Sequence, residues 1–194
     1  MKEIDFTELS SNRQVLASQG REALAGGETY EALTCLSQLV AEVPACLDLR
    51  KLLRRAQYTH YGPATNQAVT PHQWWPATAT LSLQQPSLNP YKGLVIAERW
   101  LGRNPYNVTA HRRLAQNASV LGLRKTVVFA HECILRYQPN IGNQIDLAQA
   151  CLDADDPKAA IANAEAILRE DPRYQQAIDL IQRSSLIASL SLEV

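Results

Sequence analysis

The chain has 194 residues, its 19 lysine and arginine residues are balanced by 19 aspartates and glutamates, and its pI is near 6.9. That neutrality excludes a global field able to hold nucleic acid or an anionic membrane, and no run approaches the roughly 18 apolar residues a membrane-spanning helix needs. The length suits one domain with a substantial core. Glu3 and Asp5 stand where a secretory leader needs a basic start and then an apolar run, so a cytoplasmic location is expected.

In chain order, residues 1–12 read as an N-terminal extension and residues 13–190 as a helical domain. The first helix pair covers 13–44, with Gly27 at its turn, and the second covers 46–105. Within the second pair, 46–59 and 91–103 read as helices, which leaves a proline-rich insertion at about 61–90 in the turn between them. The third and fourth pairs cover 108–139 and 141–172, turning at Gly122 and Asp155. Residues 173–188 then form a further amphipathic helix, with Ala177, Leu180, Ile181 and Ile187 facing inward, which caps the last apolar face.

The pairs share a register. Pro44, Pro105, Pro139 and Pro172 each end an amphipathic run, and the last two intervals are 34 and 33 residues. Twelve residues before each proline stand Ala32, Gly93, Val127 and Ala160, and eight before stand Leu36, Ala97, His131 and Ala164. Five before stand Leu39, Trp100, Ile134 and Ile167. These offsets trace one helix face, and the small residues on it allow a second helix to approach closely. Proline ends each helix because it lacks a donor and disfavours helical geometry in the residue before it. Gly20, Ala115 and Ala148, with Ala23, Ala118 and Cys151 three residues later, repeat a second small contact on the first helix of three pairs.

This pattern resembles the tetratricopeptide repeat family, whose unit is two antiparallel helices with small residues at their crossing and a terminal proline. It is clearest in ALAGGETYEALTCLSQLVAEVP and LAQACLDADDPKAAIANAEAILREDP. Val127 and His131 depart from it, and the second unit is interrupted. The resemblance implies an all-α, α-α superhelical solenoid of about four antiparallel pairs plus a capping helix. It also implies an inner groove lined by the first helix of each unit. Residues matching that groove are Arg21, Lys51, Arg55, Arg112, Gln116 and Gln149, a set leaning basic and suited to charge-assisted hydrogen bonds with an acidic peptide. The asparagines with which some members grip a terminal carboxylate are not at the matching places. The bland reading of the same residues is a solvated basic face.

No enzyme constellation is present. Gly26 and Gly27 lack the lysine and hydroxyl of a phosphate loop, and the histidines and serines form no nucleophile motif. Cys35, Cys46, Cys133 and Cys151 lack metal-ligand spacing and read as packed, reduced thiols. Asp153, Asp155 and Asp156 lack the calcium-loop pattern and read as a turn before Pro157 at a helix start. The sequons at Asn107 and Asn117 read as chance. No cofactor and no metal is expected.

The insertion carries almost no charge and five prolines, with a short helix expected at 77–85. Loops beyond about 12–15 residues in a compact domain are usually functional or disordered. Trp74 and Trp75 within it read either as interface anchors or as a cover over an apolar groove. The expected function is a non-enzymatic scaffold or adaptor that binds a protein or peptide through the groove, the tryptophan segment, or both. The alternative is a structural protein assembling into homo-oligomers through its ends or its insertion. An RNA-binding repeat is disfavoured, because Lys51, Arg55, Arg112 and Arg113 have no counterpart in the fourth unit.

Overall fold

The computed structural model describes residues 1–63 and 89–190. Trp74, Trp75 and the helix expected at 77–85 lie outside the described residues. Among those described, the fold is all-α, with an isolated bridge between Ile4 and Cys46. The helices are α1 (Ser11–Ala25), α2 (Thr29–Glu42), α3 (Leu47–Tyr61), α4 (Pro90–Leu101), α5 (Val108–Val120), α6 (Arg124–Tyr137), α7 (Ile141–Asp153), α8 (Pro157–Glu170) and α9 (Gln175–Leu190). They fall into two compact units, Met1–Leu123 and Arg124–Val194.

The local chemistry of the sequence sets the helix ends. The side chains of Asn89, Asn107, Asn140 and Asp156 accept from the backbone amides of Lys92, Ala110, Asn143 and Ala159, satisfying donors that the first helical turn leaves open. Pro90 and Pro157 occupy the first helical position, where a missing N–H costs nothing. Gly27, Gly122 and Asp155, the three residues at one turn offset, take φ of 85°, 74° and 61°. The chain reverses through the left-handed region at each of them.

In the first unit, α1 packs on α2 and α2 on α3. Ala32, Leu36 and Leu39 are fully buried at this contact, and Gly20 lets Leu36 approach. The N-terminal segment is part of this unit. Ile4 donates to the Ala45 carbonyl at 3.2 Å, and Gln14 of α1 donates to the carbonyls of Thr7 and Leu9.

The second pair departs from expectation. Arg50 and Arg54 near the start and middle of α3 meet Glu98 of α4, while Tyr61 at the end of α3 donates to the carbonyl of Gly102 just past α4. At the other end, Tyr91 of α4 donates to the Ala41 carbonyl of α2, just before α3 begins. So α4 runs in the same direction as α3, not antiparallel to it, and Tyr61 and Pro90 lie at opposite ends of two neighbouring helices. Antiparallel neighbours need only a connection of about 2–5 residues, whereas parallel ones require a long crossover. From α4 the chain turns back into α5, and Gly93 packs against Asn117.

In the second unit, α6 packs on α7, α7 on α8, and α8 on α9. Ala148, Ala160, Ala164, Ile167 and Ala177 are fully buried at these contacts. The inward face expected of the last helix needs one correction: Ile187 is 42% exposed, and Ser184 is buried in its place. At 3.6 residues per turn, Ser184 lies at the centre of the Ala177, Leu180 and Ile181 stripe, and Ile187 about 60° away from it.

Candidate functional site

Three of the residues expected to line a groove converge. Arg21 of α1 and Lys51 and Arg55 of α3 line one cleft of about 400 Å³, together with Phe6, Asp48 and Leu52. Lys51 and Arg55 are one helical turn apart and exposed. The Arg21 guanidinium lies 5.2 Å from the centroid of the Phe6 ring, a cation–π geometry that orients it. Phe6 is held in turn by its backbone amide, which donates to the Asp48 carboxylate at 3.2 Å. Three cations thus face one carboxylate already engaged by an amide. The wall supplied by Phe6 comes from the N-terminal segment, which sequence reasoning placed outside the repeat domain.

The remaining candidates do not join this cleft. Arg112 and Gln116 are exposed on α5 and do not line it. Because α4 parallels α3, α5 runs opposite to α3, so its residues lack the register a regular repeat would give them. Gln149 lies on α7 in the second unit, where its amide donates to Asp153 at 2.8 Å and its carbonyl accepts from Arg183 at 3.0 Å.

Sequence reasoning missed a second cluster. Arg50 and Arg54 are fully buried or nearly so, with side chains 0% and 1% exposed, and they flank Glu98, 12% exposed. Arg50 Nε meets one Glu98 oxygen at 2.7 Å and Arg54 Nη2 the other at 3.0 Å. Arg50 also donates to the Pro44 carbonyl, and Arg54 to the Gln57 side chain. Burial, the largest single influence on Glu98, raises its pKa, but the charges and hydrogen bonds of Arg54 and Arg50 outweigh it and hold the carboxyl below its ordinary range. Beside them His111 is buried, with Nε2 2.9 Å from the Pro105 carbonyl. Burial first, and then the charge of Arg54, push its pKa down to about 3, so the ring is neutral at physiological pH.

Other reactive groups are structural. The four cysteines are free thiols, and burial raises Cys151 to about 11. Asp156 caps α8, Asp155 pairs with Arg124 at 2.6 Å, and Asn107 and Asn117 spend their side chains on helix capping and on the Arg113 carbonyl. Among the described residues no cluster of histidine, cysteine or carboxylate could hold a metal ion, and no helix is long and apolar enough to cross a membrane.

No protein-family model matches the chain, and no curated protein matches it. Among solved structures, it is similar to TTC0263, a thermophilic TPR protein of Thermus thermophilus, at 19% identity and a TM-score of 0.39, over 94% of this chain and 84% of that one. It is also similar to a mutant of MamA at 18% identity and a TM-score of 0.41, over 89% and 86% of the two chains. Among the described residues, the chain is all-α, its packed helices reversing through left-handed residues at Gly27, Gly122 and Asp155, with α4 parallel to α3.

Proposed function

We propose that the protein is a non-enzymatic interaction scaffold that captures an acidic peptide segment of a partner protein in the cleft of Arg21, Lys51 and Arg55. The observation that carries this reading is the convergence of three cations from two helices on a cleft whose acid, Asp48, is already bonded to a backbone amide. Lys51 and Arg55 offer donors to carboxylates, while Phe6 and Leu52 supply apolar area beside them. For a labelled peptide alternating glutamate and serine, we expect Lys51→Glu with Arg55→Glu to weaken binding at least tenfold with helicity unchanged. Wild-type binding should fade with added salt, as charges at an exposed site are screened. Equal affinity of the double variant and wild type at low salt would overturn the reading.

A specific observation favours self-association as a second reading. On α9, Leu186 and Leu190 are each 65% exposed, beside the exposed Ile187, an apolar edge of the kind that terminal repeats must cover to stay soluble. Leu186→Asp with Leu190→Asp is then expected to abolish any concentration-dependent rise in particle mass. A wild-type mass that stays monomeric across concentrations removes this reading.

A further inference from the structure

Arg21, Lys51 and Arg55 are exposed, line one cleft and, among the described residues, form no ion pair. The Phe6 ring, 5.2 Å from the Arg21 guanidinium, restrains it without supplying an oxygen acceptor, so its N–H donors stay open. The acid of the lining is Asp48, whose carboxylate accepts from the Phe6 amide at 3.2 Å. Three cations against one carboxylate leave the cleft with a formal net charge of +2. A single glutamate from a partner answers half of that excess.

Granted that the cleft is a peptide site, on which this assignment rests, we propose that the acid it takes is a phosphorylated serine or threonine of the partner segment. Phosphoserine carries about −1.5 to −2 charges at neutral pH on one group with three acceptor oxygens. That charge matches the excess. Arg21 and Arg55 can each meet it with paired N–H donors, and Lys51 can meet it as a compact charge. Two glutamates bring the same charge, but on two side chains that repel each other and both lose rotamer freedom. Phe6 and Leu52 beside the cations suit an apolar residue next to the phosphorylated one. A bilayer or nucleic acid is the poorer fit, because the chain as a whole is charge-balanced and offers no extended basic field. Solvent screens part of the gain at these exposed side chains, so the preference over a carboxylate should be about tenfold.

The test compares two labelled peptides of alternating glutamate and serine, one with its central serine phosphorylated and one with that serine replaced by glutamate. Binding to the full chain is read by fluorescence anisotropy at low salt. The phosphopeptide should bind about tenfold more tightly, Arg21→Gln should bring the two peptides within about twofold, and Lys51→Glu with Arg55→Glu should weaken both. Equal affinities that both fall in the Lys51 and Arg55 variant overturn the phosphate assignment and leave the peptide site standing. Absence of binding by either peptide overturns both. A phosphopeptide preference that survives Arg21→Gln overturns the assignment, since the phosphate then lies elsewhere. So does displacement of the phosphopeptide by equimolar inorganic phosphate or by vesicles of phosphatidylcholine with phosphatidic acid.

Discussion

Replacing Glu98 with alanine is expected to cost about 3–5 kcal/mol of unfolding free energy, because it strands two buried guanidiniums without their counter-charge. Arg50 and Arg54 are 0% and 1% exposed, so neither can recover its hydration while α3 stays in place. The loss should fall on the contact between α3 and α4, which run side by side without a short turn to hold them. The triple change Arg50→Met, Arg54→Met, Glu98→Met serves as control. Removing all three charges together avoids the stranded pair, so the triple variant should be far more stable than Glu98→Ala. Urea unfolding followed by circular dichroism measures both, and a Glu98→Ala variant as stable as wild type would show that the triad contributes nothing net.

Acid acts on the same network in the same direction. The Glu98 carboxyl is held below its ordinary range, so its contribution is complete above the unfolded carboxylate pKa and is lost as pH falls through the folded one. His111 is lowered from 6.5 to about 3, so between those values the unfolded chain binds a proton that the folded chain does not. Stability therefore declines as pH falls from 6.5 towards 3. His111→Gln should flatten the upper part of that decline, above the carboxylate range.

The second large effect is expected at Gly93. A Cβ built there would lie 2.0 Å from Asn117 Oδ1 and 2.4 Å from its Cγ, closer than atoms can approach. Asn117 is buried and donates to the Arg113 carbonyl at 2.7 Å, so yielding would break a buried hydrogen bond. Gly93→Ala should therefore destabilise by about 1–3 kcal/mol through overpacking, although alanine is the better helix former by roughly 1 kcal/mol. Adding Asn117→Ala removes the obstruction, and the double variant should recover most of the loss. If Gly93→Ala alone raises the melting temperature, the close approach of α4 and α5 is wrong.

Much of the fold was legible because it rests on local rules. Small residues at a fixed offset and a terminal proline marked the helices, and the need for a left-handed residue marked Gly27, Gly122 and Asp155. The direction of α4 was not legible, since helix periodicity is the same whichever way a helix runs. The one available signal was the length of the connection, about six times what a hairpin turn requires. The buried triad escaped for a related reason. Arg50, Arg54 and Gln57 sit at helical spacing beside Leu49, Leu53 and Ala56, and charged side chains at that spacing ordinarily face water. Their partner lies 48 and 44 residues away, on the far side of the insertion in sequence. Of the candidate binding residues, Arg21, Lys51 and Arg55 converge because α1 and α3 keep the regular register. Arg112 and Gln116 stand apart because α5 follows the reversed helix.

The central claim is that an acidic partner segment is held between α1, α3 and the N-terminal segment. It is tested most directly by photo-crosslinking a glutamate-rich peptide carrying a benzophenone to the full chain, then locating the adducts by mass spectrometry. Adducts on the N-terminal segment around Phe6 and on α3 around Lys51, Leu52 and Arg55, suppressed by Lys51→Glu with Arg55→Glu, are the predicted result. Adducts confined to other helices and indifferent to those substitutions would contradict it.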